Sequence, residues 1–120
     1  SADGKVVNNT PVVIRHRLPA SPEQLRLVQQ GMENAVAADY GSAKELRDAG
    51  IPLAGKTGTA EVGPKANRHH NTWIICYGPL PEPRYALACL IEKGDSGGRT
   101  AAPIAARFFR EWLSAGEDLD

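Results

Sequence analysis

The apolar positions of the chain change period about halfway along it. In the first half Leu25, Val28, Met32, Ala35 and Val36 recur at three- and four-residue steps, the spacing of one helical face. Just before them Ser21-Pro22-Glu23-Gln24 supplies an N-cap serine, a proline at the first helical position and a capping-box glutamine. Together these predict a helix over residues 22–39 that buries the apolar face. Tyr40-Gly41 breaks it, and Ser42 with Glu45 predicts a second, short capped helix ending at Gly50. After Pro52 the pattern becomes that of strands, over residues 53–62, 72–77 and 85–92. Residues 78–83 form a proline-stiffened connection and residues 93–98 a loop. Thr100 then caps a last helix through Trp112, in which Ile104, Phe108 and Trp112, beside Phe109 and Leu113, predict packing on the sheet. The β-branched run Val12-Val13-Ile14 lies in an extended segment with room for one short strand, and the acidic tail from Gly116 reads as frayed. The sum is an α+β layer: a three-stranded antiparallel sheet flanked by helices.

Composition narrows the partners. With 120 residues, 42% of them apolar, the chain has room for one modest core and one domain. Its formal net charge is zero and its basic residues are scattered, so a nucleic-acid partner is not expected. No apolar run approaches the roughly 20 residues that cross a bilayer, and no signal peptide opens the sequence, so any membrane anchor lies outside it. Cys76 and Cys89 lack metal-ligand spacing and sit in apolar runs. A hairpin closed near residues 78–84 sets their sulfurs several residue pairs apart, so a disulfide is not expected.

The stretch Gly50 to Glu61, GIPLAGKTGTAE, can be parsed in two ways. From Gly50 to Thr57 it fits the phosphate-binding pattern G-x-x-x-x-G-K-[ST], and one step later it contains Lys56-Thr57-Gly58-Thr59. A phosphate loop needs a strand before it and a helix starting at its Lys-Thr. Here a helix end and Pro52 stand before the motif, and Gly58, Gly63 and Pro64 after it cannot sustain a helix. On a strand, by contrast, Lys56 and Gly58 face one way and Thr57 and Thr59 the other. The ammonium of Lys56 can hold a carboxylate, Gly58 leaves room for another backbone, and a backbone N–H can stabilise an oxyanion. Taken alone, these residues also fit a turn-rich connection with a solvated lysine.

A longer pattern bears on that choice. AGKTGTAE (54–61), WIICYGP (73–79), YALACLIEKG (85–94) and GGRTAAPIAARFF (97–109), preceded by SPEQLRLVQQGMENAV and GSAKELRDAGIPL, follow one another in a fixed order. This series resembles the C-terminal half of penicillin-binding protein transpeptidase domains, especially the monofunctional class B type. The resemblance implies the C-terminal portion of a β-lactamase/transpeptidase-like fold over residues 1–120, with the third active-site motif on an edge strand. It also implies roles. Lys56 is the motif lysine, Thr57 contacts the substrate or β-lactam carboxylate, Gly58 gives clearance, and Thr59 donates the backbone amide that completes the oxyanion hole and pairs with the acyl donor. Lys56 and Thr59 are then the catalytic residues, and Lys56, Thr57, Gly58 and Thr59 the substrate-binding set.

Two motifs of that family are missing. None of Ser1, Ser21, Ser42, Ser96 and Ser114 has a lysine three residues on, and no asparagine has a serine two residues before it. The resemblance therefore implies the C-terminal fragment of a peptidoglycan D,D-transpeptidase that cross-links stem peptides through a serine ester. It would act outside the cytoplasmic membrane, anchored by a segment not in this chain, and be inactive alone. Stem peptides and β-lactams would bind the complete domain, no cofactor is called for, and an exposed sheet edge invites self-association or domain swapping. The alternative is a non-catalytic β-lactam sensor or partner-binding relative, and a serine β-lactamase is a third. His69-His70, with His16 elsewhere, read as loop residues rather than zinc ligands, and Trp73 and Trp112 as packing residues.

Overall fold

The structure is a computed structural model that describes residues 11–116. The order is helix α1 (Pro22–Ala37), a 3₁₀ turn (Lys44–Ala49), strands β1 (Ala54–Val62), β2 (His69–Gly78) and β3 (Tyr85–Ile91), a π-type turn (Gly97–Ala101) and helix α2 (Ala102–Gly116). The three strands form one antiparallel sheet in the order β1-β2-β3, so β1 and β3 are both edges. The α+β layer expected from the hydrophobic pattern is the architecture found.

The capping box of α1 is made in full: Gln24 N–H donates to Ser21 Oγ at 3.2 Å, and Ser21 N–H to Gln24 Oε1 at 2.8 Å. Its apolar face is used unevenly. Val36 is buried and Ala35 packs beside it, whereas Leu25, Leu27 and Val28 are exposed. The expectation that the whole face is covered is corrected: α1 meets the core only through its last turns. The second helix is a 3₁₀ turn without a side-chain cap, so the expected Ser42 cap is not made; Gly50 does close it, in the left-handed region at φ 75°. No strand forms at Val12, Val13 and Ile14, which are exposed and unpaired because no other strand lies alongside them. Residues 1–10 and the tail 117–120 lie outside the described residues.

Strand alternation sorts the sheet into two faces. Thr72, Ile74 and Cys76 of β2, with Leu87, Cys89 and Ile91 of β3, face the 3₁₀ turn and α2. There Leu46, Ala101, Ala102, Ala105, Ala106 and Phe109 close the core. Full burial of a phenylalanine such as Phe109 contributes about 2–3 kcal/mol. Helix α2 thus packs through its alanines and Phe109, not through the Ile104, Phe108 and Trp112 stripe, which stays half exposed. Phe108 stacks on Trp112 and Trp112 meets the edge of Tyr85, forming an aromatic ridge rather than a core layer. Thr100 does not cap α2: its Oγ1 accepts Asp95 N–H at 3.0 Å, and Ser96 Oγ accepts Arg99 N–H ahead of the turn.

The second face carries Lys56 and Gly58 beside Ile75 and Trp73, with Ala88 and Leu90 beyond. Trp73, Ile75 and Leu90 are half exposed there, so Trp73 is not the core residue its periodicity suggests. On β2 and β3 the register pairs Cys76 with Leu87 and Cys89 with Ile74, two residue pairs apart on one face. This is closer than the several pairs expected from sequence, and both thiols are free.

Candidate functional site

Residues 54–62 form a strand rather than a loop and helix because pairing with β2 satisfies their backbone. Lys56 lies opposite Ile75, Thr57 opposite Ile74, Gly58 opposite Trp73 and Thr59 opposite Thr72. With no helix after Lys56-Thr57 there is no phosphate cradle, as the flanking residues predict. Among the described residues the motif lies on an edge strand, its outer backbone groups unpaired within the sheet.

Alternation divides the four residues. Thr57 and Thr59 line a cleft of about 270 Å³ together with Gly41, Ser42, Glu45, Ser96, Gly97, Gly98 and Arg99. Lys56 and Gly58 lie on the opposite face; Lys56 is exposed, and its Nζ donates to the Thr57 carbonyl. The strand thus presents an ammonium on one side and two hydroxyls on the other, both reachable from its free edge.

Glycines build the cleft walls. A Cβ on Gly97 would lie 2.6 Å from the Trp73 carbonyl oxygen and 2.9 Å from that of Gly58, so only glycine lets the turn before α2 sit on β1 and β2. The glycine of the motif differs. A Cβ at Gly58 would meet only the Trp73 Cβ, at 3.5 Å, an ordinary contact. A Cβ at Gly55 would lie 2.6 Å from the Leu46 side chain and 3.4 Å from the Ile75 carbonyl oxygen.

Hydrogen bonding ties the cleft to the motif. Thr57 Oγ1 and Ser42 Oγ are hydrogen-bonded at 2.9 Å, which explains why Ser42 caps no helix. Arg99 is held by Asp95 at 3.0 Å, an exposed pair that contributes little to stability. The sequence pattern predicts a cap at Ser42 and a plain loop over residues 93–98, and gives Arg99 no role. No local pattern signals that segments so far apart in sequence border one cleft.

The other tempting residues are accounted for by position. His69 and His70 begin β2 rather than lying in a loop, opposite Val62 and Glu61. Among the described residues no three His, Cys, Asp or Glu side chains converge as metal ligands. Glu61 pairs with Arg68 at 2.8 Å, with His70 Nε2 3.8 Å from its carboxylate, at the far end of the hairpin. Burial, with the nearby Cys89 sulfur adding to it, pushes the Cys76 thiol up to about 12, so it is no nucleophile near neutral pH.

This arrangement, an edge strand with Lys-Thr-Gly-Thr beside a hydroxyl-lined cleft, can be set against known proteins. The family model of the penicillin-binding protein transpeptidase domain matches residues 3–110. The chain belongs to that family. Peptidoglycan D,D-transpeptidase MrdA of Haemophilus influenzae is 30% identical over 99 residues, covering 72% of this chain and 15% of the relative. Peptidoglycan D,D-transpeptidase PbpA of Mycobacterium tuberculosis is 33% identical over 103 residues, 80% of this chain and 20% of its own length. Among solved structures, the penicillin-binding protein PBP2 of Helicobacter pylori matches at a TM-score of 0.69 and 27% identity, over 78% of this chain and 17% of that one. PBP2 of Pseudomonas aeruginosa matches at 0.67 and 28%, over 91% and 21%. The chain thus has the fold of one part of a penicillin-binding protein transpeptidase domain and spans about a fifth or less of the length of these relatives.

Proposed function

We propose that the chain is the C-terminal portion of a serine-type peptidoglycan D,D-transpeptidase, and that β1 is one wall of its acyl-transfer site. The observation that carries this reading is the Lys-Thr-Gly-Thr segment on a sheet edge with its outer backbone unpaired, in a chain of this family. An extended stem peptide can add to such an edge by main-chain hydrogen bonds. Thr57, with its hydroxyl in the cleft, receives the substrate or β-lactam carboxylate. The Thr59 N–H stabilises the oxyanion as a serine outside this chain attacks the peptide carbonyl; the peptide C–N bond then breaks, and the residue beyond it leaves as a protonated amine, with the acyl group held as the serine ester. Lys56 supplies fixed positive charge that favours the deprotonated form of neighbouring acid-base groups. Transfer of the acyl group from the serine ester to an amine of a second stem peptide completes the cross-link.

Within this reading the chain alone carries no nucleophile and is inactive, and the whole protein works on the outer side of the cytoplasmic membrane. The room at Gly58 supports it, because nothing in the chain's own packing requires a glycine there. The test is the second-order rate of acylation of the full-length protein by a fluorescent penicillin. Lys56→Ala lowers it by at least about tenfold, the scale of losing one charged stabilising group. An unchanged rate in a folded variant contradicts the assignment.

A further inference from the structure

We infer that Ser42 is a positioning residue for Thr57, holding its hydroxyl toward the carboxylate of the substrate; the inference rests on the transpeptidase reading above. The segment around Ser42 has helix-cap composition, yet Ser42 caps nothing. Its Oγ instead lies 2.9 Å from Thr57 Oγ1 across fifteen residues of sequence, and both residues line the cleft.

The backbone of Ser42 is fixed from two sides. Gly41 N–H donates to the Ala38 carbonyl and Ala43 N–H to the Ala35 carbonyl, each at 2.9 Å, tying its neighbours to the end of α1. Across the cleft a Cβ on Gly98 would lie 2.5 Å from the Ser42 carbonyl oxygen, so the two backbones are in contact. Gly41 itself has no room for a side chain, with the Ala35 carbonyl oxygen 2.2 Å from the Cβ position. A hydroxyl fixed in this way sets the direction of the one it bonds.

Each hydroxyl has one proton to donate and lone pairs to accept with. In the structure the two oxygens lie within hydrogen-bond distance, and either hydroxyl can donate to the other. When a carboxylate enters the cleft, Ser42 donates to Thr57 Oγ1, and Thr57 donates to the carboxylate oxygen. A hydroxyl that accepts one hydrogen bond is a stronger donor in the next, so Ser42 both aims and polarises Thr57. Two other polar cleft residues are engaged elsewhere: Ser96 Oγ accepts the Arg99 N–H at 3.2 Å. Arg99 is paired with Asp95, and among the described residues Ser42 is the one partner of the Thr57 hydroxyl.

The experiment measures acylation of the full-length protein by a fluorescent penicillin, which carries the carboxylate in question, in a double-mutant cycle. Ser42→Ala slows acylation about three- to tenfold, the effect of one hydrogen bond. Ser42→Thr, which keeps the hydroxyl, stays within about twofold of the parent. In a Thr57→Val background Ser42→Ala causes no further loss. A Ser42→Ala rate equal to the parent's overturns the proposal. So does an equal loss with and without the Thr57 hydroxyl, which marks a merely structural effect, or a Ser42→Thr variant as slow as Ser42→Ala. A parent protein that takes up no penicillin at all overturns the transpeptidase reading, and this inference with it.

Discussion

At Gly58 packing and chemistry make opposite demands, so one substitution separates them. The position has ordinary extended geometry, and an added methyl group meets only Trp73 Cβ at 3.5 Å. Gly58→Ala should therefore leave stability within about 1 kcal/mol of the parent in urea unfolding. On the Lys56 face the same methyl narrows the approach of a substrate backbone to the strand edge, and penicillin acylation of the full-length protein should fall severalfold. A variant that unfolds, or one that reacts at the parent rate, removes Gly58 from the site. Gly97 is the control in reasoning: its Cβ would strike two strand carbonyls, so a change there damages fold and function together.

Among the elements, α2 shows how a helix with two apolar stripes chooses one. Ala102, Ala105, Ala106 and Phe109 enter the core because small residues let the helix approach the 3₁₀ turn closely while one large ring fills the space between. Phe109→Ala should cost about 3–5 kcal/mol by leaving a cavity, and Ile104→Ala less than about 1 kcal/mol, both read from urea unfolding. Equal losses would mean that the exposed stripe is the one that packs. This choice was not legible in the sequence, where Ile104, Phe108 and Trp112 make the stronger pattern and alanines count for little. The capped start of α1, the three strands and Gly50 were legible, because each depends on residues close in sequence. The motif Lys56 to Thr59 was legible as a strand from its helix-hostile neighbours. The cleft it borders was not, since Ser42 and Arg99 reach Thr57 only through tertiary folding.

On the scale of the whole molecule, apolar surface is left uncovered at separate places. Trp73, Ile75 and Leu90 share one sheet face, Ile104, Phe108 and Trp112 line α2, and Leu25, Leu27 and Val28 lie along α1. Among the described residues β1 and β3 each leave one edge unpaired. Apolar patches and open edges of this kind mark surfaces that meet another segment or chain. The isolated 120-residue chain should therefore associate as its concentration rises, with a weight-average mass in sedimentation above that of 12.9 kDa; a well-folded monomer at every concentration speaks against this. On the proposed reading Lys56 to Thr59 form one wall of an acyl-transfer site whose nucleophile lies elsewhere in the protein. Its most direct test is labelling by a fluorescent penicillin, run side by side on the full-length protein and on this chain. The full-length protein should give a labelled band and the 120-residue chain none; a labelled chain, or a full-length protein that stays dark, contradicts the assignment.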